Sequence, residues 1–78
     1  MSKRKAVFMD LDEHPKYRIK GFVAPVCEAL SKAEGEKLAD ADLNKRPSDA
    51  PFYYYFENKD GKYYYYLEDQ IIEPNTTK

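Results

Sequence analysis

The sequence predicts a small α+β domain of the ββαββ type, a mostly antiparallel sheet with one helical segment packed on one face. Three observations lead there. Two compact apolar stretches precede residue 25, a stripe of apolar residues at helical spacing follows it, and an aromatic hairpin, PFYYYFENKDGKYYYYLED, fills residues 51–69. Residues 1–78 read as one domain. A domain this small buries only about 60% of the surface its unfolded chain exposes, so its core is thin. Residues 1–4 and 74–78 are expected to be flexible ends.

The first strand is KAVFMDL, residues 5–11, with Val7, Met9 and Leu11 on one side and Ala6 and Phe8 on the other. Pro15 ends it, since proline lacks a donor and pushes His14 towards an extended backbone. KYRIKGFV then alternates: Tyr17, Ile19 and Val23 point inwards, while Lys16, Arg18 and Lys20 form a basic outer row. Pro25 suits a first helical turn, and Val26, Ala29, Leu30, Ala33, Leu38 and Ala41 fit a helical stripe. Ser31 and Glu34 have capping-box spacing, so the run is either one helix near 25–41 or a turn and a helix started at Ser31. Gly35 weakens a single helix by about 1 kcal/mol relative to alanine. NKRPSDAP is loop. The expected core is Val7, Met9, Leu11, Tyr17, Ile19, Val23, Val26, Leu30, Leu38, Phe52, Tyr54 and Phe56.

Seven of the eight tyrosines lie in the hairpin. Asn58-Lys59-Asp60-Gly61 suits a type I turn with glycine in the left-handed position, a three-residue loop that pairs Phe56 with Tyr64 and Tyr54 with Tyr66. Tyr53, Tyr55, Tyr63, Tyr65 and Leu67 then share one face, and Phe52, Tyr54, Phe56, Tyr64 and Tyr66 the other. A four-residue loop would shift the register by one and exchange the second strand's faces. Neither face is polar in either register. One helix shelters one face, so the expectation is that the other, with Tyr53, Tyr55, Tyr63, Tyr65 and Leu67, is a contact surface. Tyrosine offers large, rigid, amphipathic area at low entropic cost. Against this stands a purely structural role, since tyrosine favours strands and tolerates partial exposure.

Charge narrows the partner. The formal net charge is -1, so the whole chain has no bulk attraction for nucleic acid or membrane. A tyrosine platform beside Lys16, Arg18 and Lys20 could stack single-stranded bases. Yet residues 51–73 carry Glu57, Asp60, Glu68, Asp69 and Glu73 against only Lys59 and Lys62, an acidic rim that repels phosphates. A protein partner fits better, with self-association as one version of it. The expected function is therefore a non-catalytic binding protein, an inhibitor or regulator of a larger enzyme or complex. Phage and mobile-element accessory proteins are built on this plan. Single-stranded nucleic-acid binding is the alternative.

No apolar run approaches a membrane span, and none follows the basic SKRK as in a signal peptide. With Cys27 the sole cysteine, a cytoplasmic protein is expected, its thiol a packing group. AVFMDLDEHP resembles the first motif of the haloacid-dehalogenase phosphatases, an apolar strand ending in Asp-x-Asp. That resemblance would make Asp10 the nucleophile and Asp12 the general acid/base. The likeness covers only this stretch, His14 stands where the family carries Thr or Val, and the chain has no room for a doubly wound core. Asp10, Asp12, Glu13 and His14 read better as a solvated turn than as a metal cluster. No catalytic residue, cofactor or metal is expected.

Overall fold

A computed structural model describes residues 4–72. It is a small α+β fold with one helix and a mostly antiparallel sheet. The main sheet has the order β1-β4-β5-β3, where β1 is Val7–Asp10, β3 Cys27–Ala29, β4 Tyr53–Lys59 and β5 Lys62–Leu67. β1 runs parallel to β4; the other two pairings are antiparallel. A separate ribbon joins β2, Arg18–Ile19, to β6, Ile71–Ile72. The expected loose ends fall outside the described residues except for Arg4. Its backbone N–H donates to Asn44 Oδ1 at 3.0 Å, and its guanidinium donates to the carbonyls of Pro47 and Ala50.

The helix α1 spans Lys32–Leu43. Of the two versions left open by the sequence, the later start is the one formed. Ser31 caps the helix, its Oγ accepting from Glu34 N at 3.2 Å, and Glu34 reaches back to the Leu30 N–H. Pro25 does not open a helix. Val26 N–H donates to the Tyr65 carbonyl at 2.8 Å, which draws the next residues alongside β5 as β3. Three residues of edge strand thus replace the expected first helical turns. At the other end the Asn44 side chain donates to the Asp40 and Arg4 carbonyls, tying the helix terminus to the approach of β1.

The hairpin register differs from expectation. Lys59 pairs with Lys62, leaving a two-residue loop of Asp60 (φ 56°) and Gly61 (φ 83°). Both φ values are positive, as a type I′ turn requires, and its twist matches that of the flanking strands. The register moves by one, so the faces of β5 are exchanged: Phe56 faces Tyr65 and Tyr55 faces Tyr66.

Each face of the sheet has its own cover. On one side Tyr54, Phe56 and Tyr65 pack with Ala39 and Leu43 of α1, joined by Phe8, Cys27, Tyr63 and Leu67. On the other side Tyr55 and Tyr66 pack with Leu11 and Ile71, joined by Met9, Tyr17, Ile19, Val23 and Tyr64. The second cover is the β2–β6 ribbon with the segments that flank it. Gln70 fastens it, accepting from Leu67 N at 2.9 Å and donating to the Ala24 carbonyl at 2.8 Å. Of the expected core, Leu11, Tyr54 and Phe56 are buried, while Val7, Leu30, Leu38 and Phe52 are exposed.

Candidate functional site

The five residues expected to form a contact surface do not share a face. Tyr53 and Tyr55 lie on the ribbon side, whereas Tyr63, Tyr65 and Leu67 lie on the helix side. Tyr65 is wholly buried and Tyr55 nearly so. Tyr65 stacks on Phe56 with centroids 5.4 Å apart and meets Phe8 edge-on at 5.8 Å; Tyr17 stacks on Tyr55 at 5.7 Å. The premise that the chain shelters only one face is thus overturned, because residues 18–19 and 71–72 build the second cover. Of the five, only Tyr53 is exposed, at 39%. Replacing Tyr53, Tyr55, Tyr63 and Tyr65 together would strip the core and would say nothing about binding.

The two wholly buried phenols, Tyr54 and Tyr65, are held as neutral, hydrogen-bonded groups. Tyr54 donates from Oη to Asp42 Oδ2 at 2.7 Å, and Arg46 Nε donates to the same oxygen at 2.8 Å. Burial and then the Asp42 bond push the Tyr54 phenol well above its ordinary value. Burial alone would raise Asp42, but the bonds from Arg46 and Tyr54 outweigh it and its carboxyl sits below the usual range. Burial and the nearby Glu36 push Tyr65 up to about 12. Cys27 is half-buried against the same cluster, and burial followed by the Asp42 charge pushes its thiol up to about 11. It is a protonated packing group, as its setting in the sequence suggests.

Besides Leu30, Leu38 and Ile72, the large apolar side chains left exposed among the described residues form a corner and a loop. Val7 and Tyr53 are cross-strand partners, Val7 N–H donates to the Phe52 carbonyl at 2.9 Å, and the Phe52 and Tyr53 rings lie 5.0 Å apart. All three are exposed, and the Arg4 guanidinium stands 5.9 Å from the Phe52 centroid. The corner thus joins the sheet's β1 side to the strand next to it. The sequence reading missed it by placing Val7 and Phe52 in the core. The signal available was Pro51, which cannot extend the ladder and leaves Phe52 at the strand's unsupported start.

The loop is Gly21-Phe22, just beyond β2. Phe22 is fully exposed and holds φ 64°, left-handed backbone that a bulky residue rarely adopts. Lys16, Arg18 and Lys20 are exposed, as their alternation with Tyr17 and Ile19 requires. They sit on the ribbon that covers the tyrosines, so no tyrosine platform lies open beside them.

Asp10 and Asp12 spend their carboxylates on the backbone. Asp10 Oδ1 accepts from Asp12 N at 2.9 Å, opening a 3₁₀ turn over Leu11–Glu13, and Asp12 Oδ2 accepts from Asn58 N at 3.3 Å. Among the described residues no group of three or more His, Cys, Asp or Glu side chains could hold a metal, and no helix is long and apolar enough to cross a membrane. The chain matches no protein-family model, no curated protein and no solved structure.

Proposed function

We propose that this is a non-catalytic binding protein that docks a protein partner, and that the docking surface is the Val7, Phe52 and Tyr53 corner. One observation carries the reading: while the helix and ribbon cover most of the tyrosines, Val7, Phe52 and Tyr53 stand exposed as neighbours, and the other exposed ring, Phe22, lies on a separate loop. Aromatic rings with an arginine beside them are the residue types that dominate interface energetics. One compact domain with one such corner suits a stand-alone inhibitor or regulator of a larger enzyme or complex. The test is capture from the native host with wild-type protein and with Phe52→Ser/Tyr53→Ser. Both side chains are exposed, so the circular dichroism spectrum should be unchanged while a specific captured protein is lost. Equal capture by both proteins would overturn the assignment of the surface.

Phe22 favours a second reading, single-stranded nucleic acid. Its exposed ring follows the outward row Lys16, Arg18 and Lys20, and an exposed ring beside cations is how bases are stacked and phosphates held. Left-handed backbone costs a non-glycine residue about 1–2 kcal/mol, partly offset in any glycine variant by lost chain entropy. Phe22→Gly should therefore raise the unfolding free energy by about 0.5–1 kcal/mol in urea denaturation. On this reading it should also abolish binding of a fluorescent oligonucleotide, as should charge reversal of the three cations. A stabilised variant that binds the oligonucleotide as wild type does would sink the stacking role and leave the strain unexplained.

A further inference from the structure

We propose that two copies of this chain pair through the open edge of β1, antiparallel and about a two-fold axis at Phe8. This goes beyond the docking reading and does not depend on it. The main sheet has two edges, and they are treated differently. β3 is only three residues long, follows Pro25, and has Glu28 tied to Lys62 at 3.2 Å, all devices that discourage pairing. β1 has no proline and no bulge.

Its backbone is poised for a partner. In a parallel ladder alternate residues bond to the neighbour, and Val7 N–H donates to Phe52. Val7 and Met9 therefore face β4, while Ala6, Phe8 and Asp10 turn their N–H and C=O groups outwards. The Ala6 N–H is taken by Asp40 Oδ1 at 2.9 Å. Among the described residues the stretch left free is thus centred on Phe8. A two-fold axis there sets Phe8 against Phe8 and Val7 against Met9, which keeps each sheet face continuous across the junction.

Charge selects a second copy as the occupant. The cleft at the start of β1 has Arg4, Lys5 and Lys37 against the single carboxylate of Asp40. The cleft at its end has Asp10, Glu13 and Glu36 against the single ammonium of Lys32. Antiparallel pairing lays the basic end of each strand on the acidic end of the other, twice per dimer. Parallel pairing would set like against like.

Sedimentation velocity across a concentration series tests this with Lys5→Glu and Glu13→Lys. Both side chains are exposed and make no hydrogen bond among the described residues. Wild type should show a monomer–dimer equilibrium, and the Phe8 amide should exchange more slowly as dimer forms. Each variant alone should dimerise about tenfold more weakly, since two ion pairs become repulsive. An equimolar mixture should regain wild-type affinity, because every contact across the mixed dimer is again between opposite charges. A wild type that stays monomeric throughout, or variants that dimerise as wild type does, would overturn the pairing.

Discussion

Gly35→Ala should lower the unfolding free energy by about 2 kcal/mol, although alanine is the better helix former by about 1 kcal/mol. The sign is what matters. Gly35 is buried in the first turns of α1, and a methyl group built on it would overlap the ring of Tyr65. That ring has nowhere to go. It is wholly buried, stacked on Phe56, met edge-on by Phe8, and its hydroxyl donates to the Lys32 carbonyl at 3.4 Å. The helix must lift or the ring must leave its rotamer, and either exceeds the propensity gain. For a domain of this size the midpoint of thermal unfolding should fall by about 10 °C. Gly21→Ala is the control: a methyl there meets nothing within 4 Å, so the change should be near neutral. A stabilised Gly35→Ala protein would mean that α1 does not sit on Tyr65 as described.

The same contact explains why the helix was only half legible. The sequence pattern favours the bulky stripe of Leu30 and Leu38, but the face turned to the sheet is Gly35, Ala39 and Leu43, spaced four apart. The sheet supplies the bulk through its tyrosines, so the helix supplies small residues, and a search for large apolar side chains looks at the wrong face. The cap at Ser31 was readable because its chemistry is local, and so was the inside–outside alternation of Tyr17, Ile19 and Val23 with the lysines. β3 was hidden because Val26 and Ala29 fit a helical period by coincidence, and a three-residue edge strand is defined by its partner rather than by its own sequence. The tyrosine faces depended on a single residue of loop length. Asp-Gly between alternating residues is a strong two-residue turn signal, and reading it as the longer loop reversed Tyr63, Tyr65 and Leu67. The second cover was illegible for a different reason: Ile71 and Ile72 form a strand only because Arg18 and Ile19 are there to receive them.

Asp42→Ala should cost about 1–2 kcal/mol at neutral pH, the range for leaving a buried hydroxyl without its acceptor, reduced because the carboxylate itself is part-exposed. The loss belongs to Tyr54 more than to Asp42. Tyr54 is wholly buried, and its Oη donates to Asp42 Oδ2, which also takes the Arg46 bond at 2.8 Å. Tyr54→Phe should cost less, since it removes the donor and leaves Asp42 paired with Arg46. Added to Asp42→Ala, it should cost little more, because no orphaned hydroxyl remains. The dependence on pH has a definite direction. The folded carboxyl lies below its ordinary value of 3.8, so its contribution is present above that value and is lost as pH falls through the lower folded one. Urea denaturation from pH 7 downwards should thus show wild type losing its advantage over Asp42→Ala only under strongly acidic conditions. A gap that stays just as wide through that acidic range would mean that the ionised carboxylate is not what holds the Tyr54 hydroxyl.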